Sequence, residues 1–150
     1  MKKNKITPAL WYHTIDGKIE HVIHYYKSIF KNKFKQESTI PLGETPSGYT
    51  EMCNVQIFGN KYLIMSTAIE HHKFNDAYAI IIHCKDQKEI DKYWNYFTRD
   101  GKESMCGWCI DKFGFRWQII PENMGTLMSM PGATEVIMKQ KIIIIGEYLK

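Results

Sequence analysis

The sequence predicts an α+β fold made of two βαβββ modules whose sheets pair into a curved, half-open barrel, with both helices outside and a cleft inside. Two observations predict it. The order of one strand, one amphipathic helix and three further strands occurs twice, over residues 5–68 and again over 77–121. A length of 150 residues is typical of one domain with a sizeable core, so we expect a single domain that ends in a helical or extended tail, 122–150.

Composition and charge are those of an ordinary globular protein. The hydrophobic fraction is 44%, and the net charge of +4 comes from dispersed lysines rather than from a basic stripe, so we expect no nucleic-acid binding. Apolar runs such as Ile142 to Ile145 are far shorter than a membrane span. The basic N-terminus continues into Ile6-Thr7-Pro8 rather than into the apolar core of a signal peptide. These features predict a cytoplasmic protein that does not enter a membrane.

The first module is predicted to begin with a strand over Ile6 to Tyr12, followed by a helix that Asp16 caps. Apolar residues at helical spacing form one stripe along that helix: Ile19, Val22, Ile23, Tyr26, Ile29 and Phe30. A second strand is expected over Phe34 to Ile40, and the Gly- and Pro-containing stretch 41–48 predicts a loop.

Two further strands, Thr50 to Phe58 and Lys61 to Ala68, are predicted to form a hairpin around Gly59-Asn60. Along the first of them, strict alternation places Asn54 and Gln56 on the same face. Two amides on one strand face are compatible with solvent exposure and equally with the wall of a cleft, and the pattern leaves both open.

The second module begins with a strongly apolar strand over Ala77 to Cys84, which predicts a central position in a sheet. Asp86, followed three residues later by Glu89, is typical of a helix start, and the apolar spacing after it predicts a helix that ends before Gly101. A strand over Lys102 to Cys106 then leads into the last hairpin.

The stretch from Cys106 to Pro121 predicts a β-hairpin whose turn, 111–114, starts with Asp and ends with Gly. In the strand after the turn, Trp117 points to an apolar face expected to pack on helices. Arg116 and Gln118 point to the opposite face, which is expected to line the cleft. An inward-facing Arg needs a protein carboxylate, or an anionic or carbonyl-bearing ligand, to accept its hydrogen bonds.

Cysteine and histidine pairs raise the question of a metal or redox site. Cys106 and Cys109 have the spacing of a zinc knuckle or redox pair, but residues three apart on a strand point to opposite faces. All four cysteines are therefore expected to be reduced thiols. His21 and His24 share a helix face without carboxylate or Cys partners, and the adjacent histidines 71–72 point apart in an extended loop, so solvated side chains are favoured over metal ligation at both places.

The chain also carries five local motifs: Thr7-Pro8-x-Leu10-Trp11, Tyr25-Tyr26-Lys27-Ser28-Ile29-Phe30, Lys73-Phe74-Asn75-Asp76, Cys106-Gly107-Trp108 and Asp111-Lys112-Phe113-Gly114-x-x-Trp117-Gln118-Ile119-x-Pro121. Together they resemble the PhnB-like branch of the vicinal oxygen chelate superfamily, which also includes glyoxalase I, the bleomycin-resistance proteins and the extradiol dioxygenases. The resemblance implies the glyoxalase/bleomycin-resistance fold of paired βαβββ modules, and usually a homodimer. The branch is often labelled a 3-demethylubiquinone-9 3-methyltransferase domain.

The resemblance also bears on metal binding. Metal-using members of the superfamily carry His or Glu at equivalent strand positions, which here fall near Thr7, near Ala79 and on Gln118. The matching position on the fourth strand falls near Ser66 or Thr67. None of these is a strong ligand for a divalent cation, so the resemblance implies no metal and no cofactor.

The predicted function is metal-free binding of a small oxygen-bearing organic molecule in the cleft. The predicted ligand-binding residues are Trp11, Asn54, Gln56, Trp108, Arg116 and Gln118. The alternative is a metal-dependent lyase or dioxygenase of the same superfamily that uses loop histidines such as His71 or His72. The methyltransferase label is disfavoured, because the chain has no Gly-x-Gly and the wrong strand–helix order for a doubly wound sheet. No acid–base pair identifies a catalytic residue, so enzymatic activity stays open.

The tail predicts self-association. It carries the apolar residues 136–138 and the run Ile142 to Ile145, which is too much apolar surface for a small monomer to expose. A curved sheet also leaves edge strands that need a partner or a cover. We therefore expect a symmetric homodimer with the tail at or near its interface.

Overall fold

The computed structural model describes residues 5–150, and residues 1–4, part of the basic N-terminus considered above, lie outside the described part. The chain divides into two compact units, Met1–His72 and Lys73–Lys150. Each unit contains one four-stranded mixed sheet with a helix packed on one face, and neither sheet closes on itself. The α+β class and the repeated βαβββ order are confirmed.

The first unit contains a helix that packs on a sheet with a single parallel strand pair. Its elements are β1 (Ala9–His13), α1 (Glu20–Phe30), a 3-10 turn (Lys31–Lys33), β2 (Phe34–Thr45), β3 (Gly48–Ile57) and β4 (Asn60–Thr67). The strand order is β1-β4-β3-β2, in which β1 runs parallel to β4 and the other neighbours are antiparallel. The predicted apolar stripe of α1 is buried, and Tyr26 on that stripe shares a 2.8 Å hydrogen bond with the Tyr12 hydroxyl.

The predicted cap of the first helix is wrong. Helix α1 begins at Glu20, and Asp16 instead accepts the Lys18 backbone N–H at 2.9 Å in a turn before the helix. That hydrogen bond lowers the pKa of Asp16. The backbone N–H of Ile19, the residue that precedes the helix, donates to Glu51 Oε1 of β3 at 2.8 Å. A carboxylate 32 residues away therefore takes the role expected of a local cap.

Several strand boundaries also differ from the prediction: the fifth strand starts at Ala79 rather than Ala77, and the sixth ends at Glu103 rather than Cys106. The first strand starts at Ala9 rather than Ile6, because its ladder with β4 begins at the Ala9–Leu63 pair. The predicted loop 41–48 is mostly strand: β2 runs on to Thr45, with register shifts that absorb its Pro and Gly.

The second unit repeats the order. Its elements are β5 (Ala79–Cys84), α2 (Gln87–Arg99), β6 (Lys102–Glu103), β7 (Trp108–Ile110) and β8 (Arg116–Pro121), in the sheet order β5-β8-β7-β6. The expected start of α2 is confirmed, since the Asp86 side chain accepts the Glu89 N–H at 2.9 Å. The apolar β5 is an edge strand of its sheet rather than a central one, paired only with β8 in the described residues.

The last hairpin is organised by one buried side chain. Asp111, 2% exposed, accepts the Phe113 and Phe115 backbone N–H groups with Oδ1 and the Trp117 indole N–H with Oδ2. The Trp117 ring lies parallel to that of Phe97 of α2, with 4.8 Å between the ring centroids and a 5° interplanar angle. The predicted turn and the predicted helix-facing side of β8 are both confirmed.

The tail folds onto its own unit. It contains α3 (Met124–Met128), α4 (Ala133–Lys139) and a 3-10 turn (Ile145–Leu149), which enclose a small core around Leu127 and Ile143. Much of the apolar surface that predicted a dimer interface is therefore buried within one chain. Met138 and Leu149 stay exposed, at 65% and 62%.

All four cysteines are free thiols, as expected. Burial, with the Asp111 charge as a smaller contribution, raises the pKa of Cys109 to about 12, so this thiol stays protonated near neutral pH. Among residues 5–150, no helix is long and apolar enough to cross a membrane.

Candidate functional site

Each sheet has one face covered by its helix and one face free of it, called here the helix-free face. In the second unit, Trp117 and Ile119 point to α2 and are at most 1% exposed, so Arg116 and Gln118 lie on the helix-free face. The face assignment made from the sequence therefore holds for this strand.

Three neighbouring strands bring aromatic, amide and apolar side chains together on this face. Gln118 is flanked by Trp108 of β7 on one side and by Ile81 of β5 on the other. Arg116 lies in the next row, between Ile110 and Ala79. Because cross-strand partners lie about 5 Å apart, the half-buried Trp108 is a direct neighbour of the Gln118 amide.

Arg116 is held by protein groups. Its Nε donates to Asp76 Oδ1 at 2.8 Å, and its Nη1 donates to the carbonyls of Phe74 and Gly114 at 3.0 and 2.7 Å. The guanidinium thus has a protein carboxylate as an acceptor, which is one of the two kinds of partner predicted from the sequence. Sequence reasoning missed Asp76 as a functional residue, although Lys73-Phe74-Asn75-Asp76 was one of the family motifs and could have indicated it.

Gln118 is oriented by the loop before β7. Its Nε2 donates to the Cys106 carbonyl at 3.3 Å. Cys106 and Gly107 both have positive φ, 59° and 82°, so the backbone here makes a tight left-handed turn. A Cβ on Gly107 would lie 2.9 Å from the Ile119 carbonyl oxygen, so this position requires glycine.

In the first unit, Trp11 lies half-buried on the helix-free face of β1. Its indole Nε1 donates to Thr67 Oγ1 at 2.8 Å. The rings of His71 and His72 pack edge-on against the indole, with centroid distances of 6.0 and 4.5 Å. The two histidines therefore contact an aromatic ring rather than form a ligand cluster.

Asn54 and Gln56 share the helix-free face of β3, as predicted, but both are engaged with β2. Asn54 Nδ2 donates to Ser38 Oγ at 3.1 Å, and Gln56 Nε2 donates to Glu37 Oε1 at 3.0 Å, in exposed positions. The six predicted residues thus fall into two sets of three, with Trp11, Asn54 and Gln56 in the first unit and the other three in the second.

The residues at the superfamily's metal positions do not fit a divalent cation. Thr7 is exposed and precedes β1, Ala79 has no donor atom in its side chain, and Gln118 offers only an amide. Ser66 and Thr67 are buried and already hydrogen-bonded, to Thr14 and Trp11 respectively. Among the residues that the structure describes, no group of three or more His, Cys, Asp or Glu side chains is arranged to hold a metal.

Comparison with solved structures places this fold among known proteins. The PhnB protein of Bacillus cereus, a candidate 3-demethylubiquinone-9 3-methyltransferase, is 23% identical, with a TM-score of 0.65 over 78% of this chain and 99% of its own. The fosfomycin resistance protein FosX of Listeria monocytogenes is 12% identical, with a TM-score of 0.56 over 84% of this chain and 97% of its own. A point mutant of the same FosX, solved with Mn(II) and 1S,2S-dihydroxypropylphosphonic acid, is 12% identical with a TM-score of 0.51, over 77% of this chain and 90% of its own.

These likenesses show the glyoxalase fold that PhnB and FosX share within the vicinal oxygen chelate superfamily. No curated protein matches the sequence. The model of the family described as 3-demethylubiquinone-9 3-methyltransferase matches residues 4–120, well over half of the chain. This chain therefore belongs to that PhnB-like family.

Proposed function

We propose that this protein binds a small, oxygen-bearing organic molecule without a metal, on the helix-free face of its second unit. The binding residues are Trp108, Arg116 and Gln118, which come from two adjacent strands. On the helix-free face of the first unit, taken by itself, Trp11 is proposed as an aromatic binding residue. Asn54 and Gln56 are proposed as polar binding residues on a strand of the same unit, and their amide nitrogens donate to β2.

The observation that carries the proposal is the hydrogen-bonding capacity that Arg116 and Gln118 retain. No partner is recorded within residues 5–150 for Arg116 Nη2 or for Gln118 Oε1, whereas the other polar atoms of these side chains are paired. One face therefore offers a donor and an acceptor on residues two apart, about 7 Å along the strand. A carboxylate or carbonyl on a flat ring would match the donor, and Trp108 lies where it could stack on the ring.

Catalysis receives less support than binding. Trp108 and Gln118 have no ionisable group, and Arg116 is engaged by Asp76 and by two backbone carbonyls. The Asp76 carboxylate is already paired with Arg116. His83 is exposed and lies in the row of Ile120, and within residues 5–150 no carboxylate partner is recorded for it. Sequestration or sensing of a small molecule needs no such acid–base pair, and this is the role we propose.

Metal-free binding separates this chain from FosX, which has been solved with Mn(II). Thr7, Ala79 and Gln118 cannot supply the hard, charged ligands that Mn(II) prefers. The methyltransferase description of the family is also not supported by the fold, since the described sheets are mixed rather than doubly wound and parallel.

A thermal-shift screen with benzoate, 4-hydroxybenzoate and phenol tests the proposal. The protein is treated with EDTA, and Trp108→Ala and Gln118→Ala are compared with Lys88→Ala, an exposed residue of α2. We expect at least one carboxylated ring to stabilise wild type and Lys88→Ala equally, and both site variants less. Stabilisation that requires an added divalent metal, or that survives both site substitutions, would contradict the proposal.

A further inference from the structure

The C-terminal extension, defined here as residues 122–150, lies beyond the part of the chain that matches the family model. It is nevertheless well packed: Leu127, Ala133, Ile143 and Tyr148 are each at most 4% exposed. Ile120, which shares the helix-free face of β8 with Gln118, packs against this cluster. The extension therefore packs next to Gln118, one of the proposed binding residues of β8.

One attachment of the extension is to the first turn of α2. Gln87 Nε2 donates to the Ile143 carbonyl at 2.9 Å, and Gln87 Oε1 accepts the Ile145 backbone N–H at 2.9 Å. A single amide thus closes two hydrogen bonds with the extension, and Ile143, whose carbonyl accepts one of them, is fully buried.

The other attachment is to the turn formed by Cys106 and Gly107. Their backbone N–H groups donate to the carbonyls of Gln140 and Lys141, both at 2.8 Å. The Cys106 thiol also donates to the Ile137 carbonyl at 3.4 Å. All three acceptors belong to the extension, so it binds this turn through its backbone.

The turn needs such support, and it acts on the binding residues. Cys106 is a non-glycine residue with φ of 59°, a conformation that persists only when the surroundings hold it. Its carbonyl accepts the Gln118 amide at 3.3 Å, and Trp108 is the next residue after the turn. The backbone that orients both Gln118 and Trp108 is thus hydrogen-bonded to the extension.

We propose that the C-terminal extension is a positioning element for the binding face: by holding the Cys106–Gly107 turn in its left-handed conformation, it sets the orientation of Trp108 and Gln118. Its effect on binding rests on the function proposed above, whereas its effect on the two side chains does not. Residues of the extension act through the turn and need not touch the bound molecule.

The test uses NMR of the full chain labelled with 15N, in which indole and side-chain amide resonances report Trp108 and Gln118 directly. Gln87→Ala removes the attachment to α2 without altering any residue of the turn, and Lys88→Ala, on the same helical turn and exposed, is the matched control. We expect Gln87→Ala to shift the Trp108 indole and Gln118 amide signals, while the Trp11 indole in the first unit stays in place. Lys88→Ala should shift neither.

A second variant, Ile143→Ala, loosens the extension at its buried centre and should shift the same two signals further. Titration with 4-hydroxybenzoate then compares affinities, which should fall several-fold in Gln87→Ala. Unmoved Trp108 and Gln118 signals in both variants would overturn the positioning role. Shifted signals in a protein whose wild type binds none of the screened compounds would leave the positioning role standing and refute the proposed function instead.

Discussion

The indole Nε1 of Trp117 donates a 2.8 Å hydrogen bond to Oδ2 of Asp111, six residues earlier on the other side of the hairpin turn. Both residues are almost fully buried, at 1% and 2% exposure. The same carboxylate also accepts two backbone N–H groups of the turn, from Phe113 and Phe115. One side chain therefore fixes the turn and the helix-facing side of β8, and with it the direction of Arg116 and Gln118.

Asp111→Ala should destabilise the protein by roughly 2–4 kcal/mol, because it leaves several buried donors without an acceptor. Asp111→Asn keeps one oxygen for the turn but turns its NH₂ towards the Trp117 N–H, so an intermediate loss is expected. Urea unfolding of the two variants measures this. A loss below about 1 kcal/mol for Asp111→Ala would show that the hairpin does not depend on the carboxylate.

Adjacent residues of β8 should respond in opposite ways to truncation. Trp117→Ala removes the ring stacked on Phe97 and should cost roughly 3–5 kcal/mol. Gln118→Ala removes a half-buried amide with one recorded hydrogen bond and should cost no more than about 1 kcal/mol, while weakening ligand binding. Thermal and urea unfolding of both variants and the benzoate screen measure these effects. A large stability loss in Gln118→Ala together with weakened binding in Trp117→Ala would mean that the two faces of β8 are assigned the wrong way round.

Asp76 and Arg116 offer a test of ligand charge. The Asp76 side chain is 77% exposed, so Asp76→Asn should change stability by no more than about 1 kcal/mol. It also removes the negative charge beside the guanidinium, so benzoate should bind more tightly than to wild type. Arg116→Ala should abolish that binding. Calorimetric titration compares the variants, and tighter binding of neutral phenol to Asp76→Asn would speak against recognition of an anion.

Local chemistry explains the parts of the fold that could be predicted from sequence. The Asp-to-Gly turn at 111–114 and the alternation in β8 depend on neighbouring residues, so the hairpin and its two faces follow from the sequence itself. The start of α2 is equally local, since Asp86 and Glu89 lie three residues apart.

The parts that could not be predicted depend on residues far apart in the chain. Glu51 supplies the acceptor at the start of α1, so the local candidate Asp16 does not cap this helix. The partner of Arg116 is 40 residues away, at Asp76. The ladder with β3 keeps 41–45 in strand β2 despite a Pro and a Gly. Pairing between distant segments decides each of these, and periodicity carries no information about it.

No stoichiometric Zn, Ni, Mn or Fe is expected in protein purified without an affinity tag, because the metal positions hold Thr7, Ala79 and Gln118. Elemental analysis by mass spectrometry checks this. The informative control is Gln118→Ala: about one metal per wild-type chain that disappears in this variant would place a metal at the proposed site and refute metal-free binding.

A symmetric homodimer is the last prediction. The centre of the tail is buried in its own unit, but Met138 and Leu149 remain 65% and 62% exposed, and they are the tail residues that a second chain would cover. Light scattering at micromolar concentration should give twice the chain mass. Met138→Lys with Leu149→Lys should shift the mass towards the monomer, whereas Ile69→Lys, which replaces an apolar residue 48% exposed in the first unit, should not. A monomeric wild type would refute the dimer, and a dimer that only Ile69→Lys dissociates would place the interface away from the tail.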